Sequence, residues 1–141
     1  MKFYLDSSLI VAALLREART PDVRSWLRAQ GDGRLSISPW VNTEVSSALA
    51  LNVRTGALPL AARSAALAAF GVLASEQLGT VAVNQADFAS AARFVDRTDS
   101  NLRAGDALHV AIAARTGLIV ATLDRLQAAG AHLVGVQTVL L

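Results

Sequence analysis

The sequence contains no cysteine, a single lysine (Lys2), three prolines and few aromatic residues (5%), and only 17% of its 141 residues are charged. Each shortage excludes something. Without cysteine there is no disulfide framework, no thiolate zinc site and no cysteine nucleophile, and a reducing compartment fits. With 53% hydrophobic residues the chain can bury a real core, which a disordered chain could not, and its length fits one domain, residues 1–141. No window approaches the ~18 uninterrupted apolar residues that a membrane span needs. The start, Met1 to Leu15, pairs one lysine with an apolar stretch, but Asp6, Ser7 and Ser8 interrupt it and Arg16-Glu17-Ala18-Arg19 offers no small-residue cleavage site, so an export signal is not expected. The expected location is the cytoplasm. A net charge of +2 is too small to announce a nucleic-acid partner by bulk electrostatics. Twelve of the thirteen basic residues are Arg, whose planar fork suits phosphate and carboxylate, although solvated helix faces and a bias toward Arg and Ala account for most of them.

What is present alternates between short β-rich runs and apolar helical patterns, with no repeat, linker or low-complexity tract. Lys2 to Leu5 reads as a strand, and Ser7 or Ser8 as the cap of a helix from Leu9 to Arg16. Thr20-Pro21-Asp22 opens a second helix that stops at Gly31-Asp32-Gly33. Leu35 to Ser38 is a second strand, and Pro39 begins a helix that Gly56 ends. The Ala- and Leu-rich stretch from Leu58 to Ser75 reads as a further long helix, forming a helical hairpin with the one before it. Thr80 to Val83 is expected to be a third strand, followed by a helix capped by Asn84 and another from Leu102 to Arg115 ended by Gly117. Leu118 to Ala121 is a fully apolar fourth strand; a short helix from Asp124 to near Gly130 and a last strand between His132 and Leu140 complete the chain. Strands apolar on both faces and alternating with helices indicate a mostly parallel central sheet of four to five strands, covered by helices as an α/β/α three-layer sandwich. In such folds ligands bind at the carboxyl ends of the strands, near the point where the strand order reverses.

Most of the eleven acidic residues, Glu17, Asp22, Asp32, Glu76, Asp96 and Asp99 among them, have solvated surroundings. Four do not. Asp6 ends the first strand, Asp124 ends the fourth, Asp106 opens the helix Ala107 to Ala113, and Glu44 lies one turn before Ala48. Taken singly, Asp6 and Asp124 read as helix caps, Asp106 as a carboxylate suiting a helix dipole, and Glu44 as a surface residue. Taken together they gather at one edge of the sheet, where four carboxylates repel one another unless a divalent cation holds them, and oxygen-only ligands select Mg²⁺ or Mn²⁺. His109 and His132 form no HExxH pattern, which disfavours zinc.

The set Tyr4-Leu5-Asp6-Ser7-Ser8, Glu44, Leu102-Arg103-Ala104-Gly105-Asp106-Ala107-Leu108-His109 and Thr122-Leu123-Asp124 resembles the PIN domains, specifically the VapC-type toxin ribonucleases of type II toxin–antitoxin systems. The likeness runs over essentially the whole chain, and its most specific piece is Arg103 to Ala113. One departure is Gly105, which stands where a bulkier residue is usual; it leaves the acids untouched and is expected to loosen that helix start. The resemblance implies a Mg²⁺- or Mn²⁺-dependent endoribonuclease with an acidic pocket of Asp6, Glu44, Asp106 and Asp124. It implies Asp6 and Asp106 as first metal ligands and Asp124 as a ligand directly or through water, with Glu44 completing the shell or taking a proton. Ser7 and Thr122 would orient ligands or substrate, and Arg103 would contact an RNA phosphate. The implied partners are an RNA substrate, a cognate antitoxin through which alone DNA is met, and a second copy of the chain. The Ala/Leu-rich hairpin from Val41 to Ser75 is the candidate face for dimer and antitoxin.

His109 reads as a satisfied helix residue beside the pocket rather than a base, and Trp26 and Trp40 as core or interface. A receiver domain would need two adjacent acids after the first strand and a late lysine; a haloacid-dehalogenase phosphatase would need Asp at position 8; a dinucleotide-binding domain would need a glycine-rich loop after the first strand. None is present. A non-catalytic RNA-binding or scaffolding module with a silent pocket is the alternative to an enzyme.

Overall fold

The computed structural model describes residues 1–141. Five strands, β1 (Phe3–Leu5), β2 (Leu35–Ile37), β3 (Leu78–Thr80), β4 (Ile119–Thr122) and β5 (Thr138–Leu140), form one sheet in the order β3-β2-β1-β4-β5, and all four pairings are parallel. Seven α-helices connect them: α1 (Ser7–Leu14), α2 (Thr20–Ala29), α3 (Pro39–Arg54), α4 (Leu60–Gln77), α5 (Gln85–Asp96), α6 (Ala104–Thr116) and α7 (Arg125–Leu133), with a short 3₁₀ turn at Thr98–Ser100. α1 to α4 pack among themselves, and so do α5 to α7. Right-handed crossovers running first one way and then the other from β1 place the two groups on opposite faces of the sheet. That is the expected α/β sandwich, with α3 and α4 as its helical hairpin.

The central strand is the most buried. Phe3, Tyr4 and Leu5 are all below 5% exposed, as a strand covered on both faces requires, and they pack with Leu9, Ile10, Ile112, Val120 and Ala121. Phe3 carries Trp26 edge-on with ring centroids 5.1 Å apart, which makes Trp26 a core residue. Strand order reverses between β1 and β4: from β1 the chain builds outward through β2 and β3, then returns to β4 beside β1 and builds the other way. The crevice between the carboxyl ends of β1 and β4 is therefore the topological switch point.

The third strand lies two residues earlier than the sequence pattern suggests. α4 runs without a break into Leu78-Gly79-Thr80, which pairs with Leu35-Ser36-Ile37, and Val81 makes only the closing bond from its N–H to Ile37 O at 2.8 Å. The apolar run Val81 to Val83 suggested a strand there, while Gly79 hid the real one; a Cβ at Gly79 would meet Ser36 Oγ at 3.2 Å. α2 also starts at Thr20 rather than being capped by it. The Thr20 hydroxyl donates back to Ala12 O and Leu15 O and accepts from Glu17 N–H, so it ties the turn between α1 and α2.

Candidate functional site

The site begins at the ends of the two strands that flank the switch point. Asp6 follows β1 directly, its N–H donating to Ala121 O at 3.2 Å, and its Oδ1 accepts from Leu9 N–H at 3.2 Å as the N-cap of α1. Asp124 follows β4 and caps α7 in the same way, accepting from the N–H groups of Leu126 (2.8 Å) and Gln127 (3.1 Å). Both residues are thus caps as well as members of the site.

Two hydroxyls stitch these ends together. Ser8 Oγ donates to Asp6 Oδ1 (2.7 Å) and accepts from Leu123 N–H (3.0 Å). Thr122 Oγ1 lies 2.6 Å from Asp6 Oδ2, accepts from Asp124 N–H at 2.9 Å and stands 2.9 Å from Gln127 Oε1. A hydroxyl has one proton, and the carboxylate is the stronger acceptor, so Thr122 donates to Asp6. Gln127 is 1% exposed and its Nε2 has no partner; turning the amide by half a turn lets Nε2 donate to Thr122 Oγ1. Thr122 therefore fixes the orientation of the Asp6 carboxylate. Ser8 and Gln127 are further members that the sequence reading missed. Asp124-x-x-Gln127 has capping-box spacing, a legible signal, but here the Gln turns to Thr122 instead of back to the cap.

The other two acids come from helices on the far side of the crevice. Glu44 lies in the second turn of α3, and Asp106 is the third residue of α6. Glu44, Asp106 and Asp124 line one cavity of about 310 Å³ together with Asn101, Arg103, Gly105 and Leu126. Asp6, only 3% exposed, lies beneath this cavity rather than on its wall. Arg103, the exposed N-cap residue of α6, is among the residues that line the cavity. Ser7 donates to Glu44 Oε2 at 2.7 Å, and His109 Nε2 lies 2.5 Å from the same oxygen. The Ser7 hydroxyl thus orients Glu44.

Gly105 makes the close approach of α3 and α6 possible. A Cβ there would meet Glu44 Oε1 at 2.9 Å and the Trp40 ring at 3.5 Å, and Trp40 Nε1 donates to Gly105 O at 3.4 Å. The missing side chain therefore admits Glu44 and Trp40 to the helix start. Gly130 plays the same part for α7, where a Cβ would lie 2.5 Å from Ser100 O, and so seats α7 against the loop that leads into Arg103.

Asp6, Glu44 and Asp106 are pushed in different directions by their surroundings. Burial pushes the Asp6 carboxyl up, and its hydrogen bonds from Thr122 and Ser8 offset only part of this. Burial also opposes the charge on Glu44, but the hydrogen bond from His109 and the one from Ser7 outweigh it and hold Glu44 below its ordinary range. Asp106 is pushed up by burial and then by the charge of Asp124, with Glu44 adding to it. Asp106 and Asp124 are thus like charges facing one cavity.

A crevice at the switch point of a parallel sheet is walled by carboxylates from α3, α6 and the end of β4, with the buried Asp6 at the end of β1 joined to it through Thr122, and residues 3–133 fit the PIN domain family. The chain belongs to the PIN domain family. The fold of this PIN domain is similar to that of VapC20 from Mycobacterium tuberculosis, described as a sarcin–ricin loop cleaving toxin. The TM-score is 0.72 and the identity 22%, over 92% of this chain and 95% of that one. It is similar also to FitAcB from Neisseria gonorrhoeae (TM-score 0.68, 17% identity, 96% and 95% covered) and to VapBC2 from Rickettsia felis bound to a DNA fragment from their promoter (TM-score 0.62, 12% identity, 88% of each chain). At such identities the likeness speaks for the fold alone. No curated protein sequence matches the chain.

A divalent cation is what the family implies for this crevice. As they stand, no three acid or histidine side chains are close enough together to hold a metal ion, so the expected ligand set of Asp6, Asp106 and Asp124 is not closed. The reason is visible in the contacts: Asp6 is turned into Thr122, Ser8 and the α1 cap, and the charge of Asp124 acts against that of Asp106. The chemistry of the donors nevertheless fits. All are carboxylate oxygens, which suit a hard cation, and the repulsion that raises Asp106 is what a cation would relieve.

Proposed function

We propose that this PIN domain is a metal-dependent endoribonuclease of the VapC type, cleaving RNA phosphodiester bonds by attack of water and restrained by a cognate antitoxin. The observation that carries this reading is the gathering of Glu44, Asp106 and Asp124 around one cavity, with Asp6 beneath and Arg103 at its edge. Asp6, Asp106 and Asp124 would hold the Mg²⁺ or Mn²⁺, which when bound would activate the water and neutralise charge on the leaving oxygen. Arg103 offers a fork of donors to a phosphate of the RNA and orients the strand. Glu44, kept ionised by His109 and Ser7, would complete the cation's shell or take a proton. Thr122 and Ser8 hold Asp6 in one orientation.

The partner surface is the α3–α4 hairpin. Leu51, Leu60 and Val72 are more than half exposed on it, and a groove of about 610 Å³ lined by Leu14, Leu15, Leu58 and the alanines of α4 runs between the hairpin and the end of α1. Apolar surface of this kind suits an antitoxin segment or a second copy of the chain. No helix is long and apolar enough to cross a membrane, and RNA cleavage would take place in the cytoplasm.

The test is cleavage of total RNA by purified, antitoxin-free protein with Mn²⁺, set beside the Asp106→Asn variant. Discrete fragments from the wild type and none from the variant are expected. Intact RNA under both conditions, or equal cleavage by both, overturns the reading in favour of a silent RNA-binding module.

A further inference from the structure

Beneath the carboxylate cavity runs a chain of hydrogen bonds that the nuclease reading does not itself require. Ser38 Oγ, after β2, lies 2.7 Å from Tyr4 Oη on β1; Tyr4 Oη lies 2.8 Å from His109 Nδ1 on α6; His109 Nε2 lies 2.5 Å from Glu44 Oε2 on α3; and Ser7 at the start of α1 donates to that same oxygen. Ser38 and Tyr4 are 0% exposed and His109 is 1% exposed. The ring of His109 is boxed in by Tyr4 and Trp40, with centroids at 5.6 and 6.4 Å.

A buried imidazole with both nitrogens engaged has few ways to satisfy its partners. Glu44 as a carboxylate only accepts, so Nε2 must carry a proton toward it; a neutral ring then accepts at Nδ1 from the Tyr4 hydroxyl, whose oxygen accepts in turn from Ser38. Every donor in this arrangement has an acceptor. Glu44 has one oxygen fixed by two donors, which leaves Oε1 as the atom that faces Gly105 and the cavity. Packing alone would be served by any flat side chain at position 109; the Nε2 contact is what ties the ring to the cavity wall.

We propose that His109 is the positioning residue for Glu44: its Nε2–H fixes one carboxylate oxygen so that the other is presented to the cavity for cation or proton. The proposal rests on the nuclease reading above, and it adds a residue that touches neither substrate nor cation. Two substitutions separate its two contacts. The amide nitrogen of Gln reaches where Nε2 stands, whereas that of Asn reaches only as far as Nδ1. His109→Asn should lower kcat and calorimetric Mn²⁺ affinity by about tenfold or more with little change in KM, and His109→Gln should recover most of that loss. In a Glu44→Ala background the Asn substitution should make no further difference, because the group it acts through is gone.

Where substitution at position 109 prevents folding, ¹⁵N NMR of histidine in the wild-type protein reads the same claim without a variant of the ring. A protonated Nε2 is expected, with a proton signal that shifts when Glu44 is changed to Ala. An unprotonated Nε2, equal Mn²⁺ affinity and kcat for wild type and folded His109→Asn, equal losses for Asn and Gln, or a full additional loss in the Glu44→Ala background each overturns the proposal. Wild-type protein that neither binds Mn²⁺ nor cleaves RNA overturns the nuclease reading and this one with it, whereas cleavage abolished by Asp106→Asn but indifferent to His109→Asn overturns the positioning role alone.

Discussion

Asp87 and Asp106 occupy the same position in their helices, the third residue of α5 and of α6, and they have met opposite fates. Asp87 accepts from the N–H of Asn84 at 2.7 Å and receives Arg115 on both oxygens, at 2.7 and 3.0 Å, while Arg115 also donates to Ala82 O. Burial opposes its charge, but the Arg115 fork and the Asn84 N–H more than compensate, and its carboxyl sits below the ordinary range. Asp106 is raised by burial and by the charges of Asp124 and Glu44, which the backbone N–H of Arg103 and the nearby His109 do not offset, and its carboxyl sits above that range. A first-turn carboxylate is favourable at either helix by the dipole argument alone. What differs is the far end of the side chain: Asp87 is finished within the protein, whereas Asp106 is left for something the protein does not itself supply. A carboxylate completed by an arginine is structural; one facing other carboxylates across a cavity is a candidate for chemistry.

The sharpest way to break this comparison is to neutralise each acid. Asp106→Asn should reduce Mn²⁺-dependent RNA cleavage by about a hundredfold or more, since it removes a carboxylate oxygen proposed to hold the cation. The same change should raise Tm, by about 2–4 °C for each kcal/mol of repulsion relieved. Scanning calorimetry beside the cleavage assay checks both; a variant that is inactive because it is less stable would put Asp106 in the same class as Asp87.

Next in size is the ion pair. Arg115→Met leaves Asp87 buried with one backbone donor; a fully buried pair broken this way costs about 3–5 kcal/mol, and with one third of the Arg115 side chain exposed the expectation falls to about 2–3 kcal/mol. Cleavage per folded molecule should be unchanged. Urea unfolding and an activity assay normalised to folded protein test this, and loss of activity without loss of stability would show that Asp87 serves the site.

The two acids should also give opposite slopes of stability with pH. Asp87, with a lowered value in the folded protein, contributes stability that is fully present above the ordinary value of 3.8 and is lost as pH falls through the lowered one. Asp106, with a raised value, destabilises the fold only once ionised; this cost is absent below 3.8 and grows as pH rises through the raised value. The difference in unfolding free energy between wild type and Asp87→Asn should therefore shrink in acid, and that between Asp106→Asn and wild type should shrink in acid too, with the variant the more stable of the two at neutral pH. Parallel wild-type and Asp106→Asn curves across the acid range would remove the repulsion from the account.

How legible these residues were follows from where their partners lie. Asp6 and Asp124 stood out because each ends an apolar strand, and Asp106 because an apolar helix follows it; those are local patterns, and the parallel sheet with its switch point follows from the same alternation. Asp87 carries no such local signal, because the arginine that pairs with it is 28 residues away. His109 looked like a satisfied helix residue, which it is, but the partners that satisfy it are Tyr4 and Glu44, 105 and 65 residues distant. Helix periodicity says which face is buried, not what a polar group on that face will meet. The misplaced third strand has a similar cause, since Leu78-Gly79-Thr80 is a strand through its pairing with β2 and not through its own residues.

Gly105 is the smallest lever on the comparison, and the one place where helix propensity and site geometry pull against each other. Replacing glycine by alanine is worth roughly 1 kcal/mol in a helix interior and less in the first turn, where Gly105 stands, so Gly105→Ala should stabilise α6 modestly if nothing stood nearby. The new Cβ would meet Glu44 Oε1 at 2.9 Å, a contact that a free glutamate end would relieve by swinging away. Glu44 is not free, because Ser7 and His109 pin its other oxygen. Either α6 shifts away from α3 and weakens the Trp40 bond to Gly105 O, or Glu44 leaves His109 and Ser7. Unfolding free energy should therefore stay within about 1 kcal/mol of wild type while RNA cleavage falls several-fold, measured by denaturation and by kcat at saturating Mn²⁺. A gain of the full propensity with unchanged kcat would mean that Glu44 moves freely, and that the carboxylate held ionised at this wall is no more committed to the site than a surface acid.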